Sequence, residues 1–199
     1  MTVHPLVDSL DSEELLRSIL IREGIKDTEV LENTPRRWVQ ALRGQLGADR
    51  EEFDFTTFES KVDDMVIVQD IQFSSLCAHH LLPFFGYAHV AYIPQGRIAG
   101  LSKLARTVRT WCFGLWTQEE LTEAIANNLV ENLSVPKEVN QIVKPKGVAV
   151  VMQAEHTCMS VRGVRAPGAK TTTSSMRGVF LDNNNNARAE FLSLIRGGK

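Results

Sequence analysis

"DMVIVQDIQFSSLCAHHLLPFFGYAHVAYIP", residues 64–94, is the stretch on which the reading of the fold turns. It opens on "DMVIVQDIQF" and closes on "GYAHVAYIP", two short β-branched and aromatic runs bounded by Gly and Pro, which is the composition of strands. Between them "CAHH" crowds Cys77, His79 and His80 into four positions of a chain that holds only three cysteines and five histidines. Two hairpin-like strands thus flank a segment carrying a thiol and two imidazoles.

Working outward, the upstream sequence has a different period. "DSEELLRSILIREG" offers Asp11 as N-cap with Glu14 three residues on, and Leu15, Leu16, Ile19 and Leu20 form an apolar stripe that Gly24 stops. "NTPRRWVQALRGQLG" repeats the pattern, with Thr34 as cap, Pro35 at the first helical position and Gly47 at the end. Residues 1–60 therefore read as an N-terminal helical segment, and 61–199 as a second domain.

Downstream, Leu101, Leu104, Val108 and Trp111 recur at helical spacing, and so do Leu121, Ile125, Leu129 and Leu133. "VPKEVNQIVKPK" reads as a loop, "GVAVVMQAEHTCMSVRGV" as strand throughout, and "KTTTSSMRGVF" as a further strand. "DNNNN" is a polar turn and "ARAEFLSLIR" a closing helix. This order predicts an α+β fold in which an antiparallel sheet is backed by helices.

Composition limits the function. At 199 residues and 43% hydrophobic content the chain can bury a proper core. A net charge of −2 and a pI near 6.2 give no general electrostatic reason to bind nucleic acid or an anionic membrane, so any anion site must be local. An odd number of cysteines argues against a disulfide scaffold and for a reducing compartment. No basic-then-apolar leader pattern opens the sequence, and no apolar run nears the roughly 20 residues needed to span a bilayer. The expectation is a soluble, cytoplasmic protein.

A thiolate and an imidazole are good zinc ligands, and Cys77-x-x-His80 is a usable spacing. Alone the pair fits equally a small buried core cysteine. Further on, a strand period of two sets His156, Cys158, Ser160 and Arg162 on one face, after Val148, Val150, Met152 and Ala154. Cys158 would complete a set of two thiolates and one imidazole. Three protein ligands leave one tetrahedral position open, as in catalytic zinc sites, where bound water acquires a pKa of about 7. Cys112, beside Trp111 on an apolar helix side, reads as core.

Gly100 precedes a helix start, where free N–H groups favour an anion, and Ser102, Lys103 and Arg106 share the polar side of that helix. A solvated helix face would look the same. Gln118, Glu119 and Glu120 open the next helix, either as partners of its dipole or with one carboxylate reading a guanidino-like edge.

In these residues and their order the chain resembles the GTP cyclohydrolase I family. "TPRR", "DMVIVQDIQFSSLCAHH", "PFFGYAHVAYIP", "GLSKLAR", "QEELT", "EHTCMSVRGV", "TTTSS" and "EFLSLIR" occur in the family's order from Thr34 to Arg196. The resemblance implies the tunnelling fold, in which subunits form β-barrel rings that stack as a homodecamer with active sites at subunit interfaces. It implies that Cys77, His80 and Cys158 bind zinc, and that His79 and His156 are catalytic, His156 protonating purine N7 while zinc-activated water attacks C8. Ring opening, loss of C8 as formate, sugar rearrangement and reclosure would give 7,8-dihydroneopterin triphosphate. Gln118 and Glu119 match the purine readers, and Ser102, Lys103, Arg106, Arg162 and Arg37 the triphosphate site. Imidazoles with an ordinary pKa of about 6.5 suit such proton exchange at neutral pH.

The chain also departs from the family pattern. Ala78 stands where a Glu normally separates the Cys from the two His, Gln40 replaces a Lys, Glu120 replaces an Arg, and Tyr87 replaces a common Lys. Each change removes positive charge or alters charge near the expected site. Two other readings stay open: a tunnelling-fold enzyme acting on another purine or deazapurine nucleotide, and a non-catalytic nucleotide-binding partner.

Overall fold

The two runs within residues 64–94 fold as long antiparallel strands at the heart of one sheet. The computed structural model describes residues 11–138, 141–182 and 186–197. Its elements in chain order are α1 (Ser12–Arg22), α2 (Thr28–Arg43), β1 (Thr57–Glu59), β2 (Val66–Cys77), β3 (Pro83–Ile93) and β4 (Arg97–Ala99). Then come α3 (Leu101–Trp111), β5 (Leu115–Trp116), α4 (Gln118–Leu133), β6 (Val135–Glu138) and β7 (Gln141–Val143). Last are β8 (Gly147–His156), α5 (Thr157–Ser160), β9 (Lys170–Gly178) and α6 (Ala187–Arg196). They divide into two compact units, Met1–Arg50 and Glu51–Lys199.

In the first unit α1 follows Asp11 as expected, and Gly24 at φ 87° stops it. The start of α2 differs from the expectation. Asp27 is the cap, its carboxylate accepting from Val30 N at 3.1 Å, so Thr34 and Pro35 lie inside the helix rather than at its start. A proline there leaves the carbonyl four residues back without its helical donor. That carbonyl belongs to Leu31, and Arg17 of α1 donates its Nε–H to it at 2.9 Å. The interior proline is thereby tolerated. Gly47, at φ 105°, ends the run.

The second unit is built on a sheet ordered β5-β2-β3-β8-β9, antiparallel from β2 to β9, with the short β5 parallel to β2. One face carries Phe73, Val90, Tyr92, Val150 and Met152 against Leu104 and Val108 of α3 and Leu121, Ile125 and Leu129 of α4. The other carries Ala91, Ala149, Val151 and Met176 against Phe191 of α6. A strand buried on both faces reads as a continuous apolar run, which is why "GVAVVM" shows no alternation. This is the expected α+β architecture, an antiparallel sheet backed by helices.

Two local features fit the strands together. The β2–β3 register shifts between Val68 and Ile71, with Asp70 at φ 53°. The bulge moves the helix-facing positions from Val66 and Val68 to Ile71 and Phe73, so both halves of β2 reach the same core. At Gly86, β3 and β8 approach so closely that a Cβ would overlap the Gln153 carbonyl.

"VPKEVNQIVKPK" is not simply a loop, because β6 and β7 pair antiparallel, Val135 with Val143 and Pro136 with Ile142. Pro136 is tolerated in a two-stranded ribbon, where its missing N–H can face outward. Residues 183–185 of "DNNNN" lie outside the described residues. Among the described residues no helix is long and apolar enough to cross a membrane.

Candidate active site

One end of the sheet gathers the reactive side chains. There β2 ends at Cys77, β3 begins at Pro83, β8 ends at His156 and β5 leads through Trp116 into α4. The connection 78–82 is tied back on itself: Cys77 N donates to Leu82 O at 2.9 Å, and Cys77 O accepts from Leu81 N at 2.9 Å. Ala78 N also donates to Trp116 O at 3.0 Å. Leu81 sits at φ 54°, a left-handed conformation that disfavours a branched side chain, and such strain collects at functional sites. The turn holds His79 and His80 beside Cys77, their Nδ1 atoms 4.0 and 3.7 Å from its Sγ.

Cys158 arrives by a route the strand pattern did not foresee. β8 stops at His156, and residues 157–160 make a single helical turn, so His156, Cys158, Ser160 and Arg162 do not share a strand face. The reason is the loss of both neighbours: His156 is paired with Phe84, Pro83 has no N–H to extend the ladder, and β9 starts only opposite Glu155. Thr157 Oγ1 instead donates to Pro83 O at 2.6 Å. A continued strand would have carried Cys158 roughly 6.6 Å beyond His156. The turn brings it back, and the ligand atoms of Cys77, His80 and Cys158 all lie within 4.8 Å of one another.

The donor set fits zinc. Thiolate and imidazole ligands at about 2.3 and 2.1 Å from a tetrahedral ion stand roughly 3.6 Å apart, and the Cys77–His80 separation is 3.7 Å. Burial pushes the Cys158 thiol up, and the neighbouring Cys77 adds to this by charge and hydrogen bonding, while Arg162 acts in the opposite sense. Two adjacent thiols resist ionising together, a penalty that a divalent cation between them removes. His79 is outside this three-atom group.

His156 is held on two sides. Its ring stacks on Phe84 with centroids 4.7 Å apart and planes within 3°, and its Nε2 is 2.8 Å from Gln118 Oε1. Burial lowers its pKa, and the charge of Glu119 opposes that. Gln118 is only 1% exposed. Glu119 is exposed, and Glu120 belongs to the helix cap, its Oε2 accepting from Thr117 Oγ1 at 2.8 Å. Thr117 and Glu120 have the spacing of a capping box.

The other expected residues are spread wider. Ser102, Lys103 and Arg106 occupy the first turns of α3, with Lys103 Nζ 5.8 Å from the centre of the Phe53 ring. Arg37 belongs to the first unit, where it stands 3.5 Å from Glu29. Phe84, Thr122 and Thr173 were not singled out in the sequence, and only the β3–β8 register and the α4 packing bring them to the site.

The chain matches the model of the GTP cyclohydrolase I family over residues 12–196. It is similar to GTP cyclohydrolase 1 of Aquifex aeolicus (strain VF5), 46% identical over 195 residues that cover 95% of this chain and 99% of that one. GTP cyclohydrolase 1 of Hydrogenobaculum sp. (strain Y04AAS1) is 46% identical over 193 residues, covering 94% and 99%. That of Listeria monocytogenes serotype 4b (strain CLIP80459) is 46% identical over 176 residues, covering 88% and 86%. Because the match spans nearly the whole chain and nearly the whole of these relatives, the chain belongs to the GTP cyclohydrolase I family.

Proposed function

We propose that the protein hydrolyses GTP at purine C8, releasing formate and forming 7,8-dihydroneopterin triphosphate, with zinc held by Cys77, His80 and Cys158. The observation that carries this reading is the gathering of these three ligand atoms within 4.8 Å, at the sheet end that also presents His156, in a member of this family. Zinc, when bound there, supplies the Lewis acidity that makes water nucleophilic near neutral pH.

The chain's own residues do the rest. His156, half-buried and stacked on Phe84, handles the proton at purine N7, and His79, exposed on the 78–82 turn, serves as a second proton carrier. Glu119 keeps an exposed carboxylate at the start of α4, where it can pair with the two N–H groups on the guanine edge. Ser102, Lys103 and Arg106, on the opening turns of α3, bind the triphosphate together with Arg162.

The working form is a homo-oligomer, a decamer with active sites at subunit interfaces. In support, Leu101, Val161 and Val164 are 64%, 65% and 71% exposed next to or near proposed site residues in the chain, apolar surface of the kind that assembly covers. The cysteines are all free, which suits the cytoplasm. Incubating zinc-loaded protein with GTP and following pteridine fluorescence and formate tests the reading. Formate released one for one with GTP consumed is the expected result, and intact GTP would contradict it.

A further inference from the structure

The carboxamide of Gln118 is constrained on every side. Its Nε2 faces three acceptors, Met152 O and Thr171 O at 3.1 Å each and Thr173 Oγ1 at 3.0 Å. Flipping the amide would set its oxygen against two backbone carbonyls, so the orientation is determined by acceptors that cannot donate. The hydroxyls close the network with one consistent direction. Thr122 Oγ1 donates to Gln118 O at 2.6 Å, so at its 2.6 Å contact with Thr173 Oγ1 it must accept. Thr173 therefore spends its proton on Thr122 and can only accept from Gln118.

With the amide so fixed, Oε1 is the atom that meets His156 Nε2 at 2.8 Å. A carbonyl-type oxygen only accepts, hence Nε2 carries the hydrogen. A half-turn of the ring would keep the Phe84 stack but set a carbon against Oε1, so stack and hydrogen bond together fix the ring. Both N–H groups of the Gln118 carboxamide are taken by these acceptors, and the side chain, only 1% exposed, turns its oxygen to His156.

We propose that Gln118 is a positioning residue and not a purine-contacting one: together with Phe84 it locks the His156 imidazole as the Nε2–H tautomer and leaves Nδ1 as the nitrogen that exchanges a proton with the substrate. The proposal rests on the reading of His156 as the proton-handling group. It gives the fully buried Gln118 a role distinct from that of its exposed neighbour Glu119.

The test has two parts. Solid-state ¹⁵N spectra of histidine-labelled, zinc-loaded protein, with the His156 signals identified by their absence from His156→Ala, should show protonated Nε2 and bare Nδ1. In Gln118→Met the same residue should lose that fixed pattern. In kinetics, Gln118→Met should lower kcat about 10–100-fold, as loss of a partner that orients a histidine does, with KM for GTP changed less than about threefold. The ratio of kcat/KM for GTP to that for inosine triphosphate, which lacks the 2-amino group, should stay as in the unaltered enzyme. If Gln118→Met does not fold, Phe84→Leu removes the stack instead, with the same expected split. A His156 ring protonated at Nδ1, or a Gln118 variant that keeps kcat while losing the preference for GTP, would overturn the proposal. If the unaltered enzyme releases no formate from GTP, the functional reading falls, and the ¹⁵N spectra alone still decide whether Gln118 fixes the tautomer.

Discussion

Cys77 Sγ and His80 Nδ1 stand 3.7 Å apart across a turn closed by the Cys77-to-Leu82 and Leu81-to-Cys77 hydrogen bonds. The separation is that of two ligands on one tetrahedral ion, and the turn that maintains it includes a left-handed Leu81. The neighbouring His79, at 4.0 Å from the same sulfur, lies outside the three-atom group. The two adjacent histidines therefore differ in what their loss does.

His80→Ala and Cys158→Ser should each remove most of the zinc and all measurable turnover. His79→Ala should keep about one zinc per chain and lower kcat. Metal analysis of the three purified variants checks this. Equal zinc loss in His79→Ala and His80→Ala would contradict the assignment.

His156→Ala should fold and keep its zinc, since His156 is not in the ligand group. Removing a proton-transfer side chain typically lowers the rate about 10²–10⁴-fold, and kcat on the zinc-replete variant is the measurement. Turnover near that of the unaltered enzyme would remove His156 from the mechanism.

Cys112 gives a pH prediction. Burial pushes its thiol from 9.0 up to about 12. The folded state then holds a proton that the unfolded state releases above its own pKa, so this contribution is complete below about pH 9 and is lost as pH rises from there toward 12. Each pH unit in that window removes at most about 1.4 kcal/mol. Denaturant midpoints at pH 8 and pH 10 should fall with rising pH, and less in Cys112→Ala. The same burial predicts that, after chelation at pH 8, an alkylating reagent labels the half-buried Cys158 before Cys112.

Gly86→Ala tests the strand pairing beneath the site. A Cβ there meets the Gln153 carbonyl and the Ala154 backbone, which cannot move as a flexible side chain would. The pairing of Phe84 with His156 lies two residues along the same ladder. Overpacking of this kind costs typically about 1–3 kcal/mol, and a lowered midpoint with reduced kcat is expected. An unchanged midpoint would show that β3 and β8 have more room than the structure gives them.

How far the sequence could be read depends on whether each feature is local. The stripes of α3 and α4 and the β-branched runs of β2 and β3 are written in neighbouring residues, and their elements came out as expected. Cys77 and His80 are also local, three residues apart. The arrival of Cys158 is not, because β8 stops where Pro83 and Lys170 end its two neighbours, and both are remote in the chain. The start of α2 misled for a related reason. "NTP" is a good local start signal, but Asp27 caps earlier and Arg17 of another helix satisfies the carbonyl that Pro35 strands. Gln118 shows the same limit at the site itself, since its amide is oriented by residues 34 to 55 positions away.

The most direct test of the account is to quantify zinc and formate on one sample incubated with GTP. About one zinc per chain, formate in equal amount to the GTP consumed, and loss of both signals when the zinc is chelated are the expected results. Full activity in metal-free protein, or a zinc-replete sample that leaves GTP intact, would contradict it.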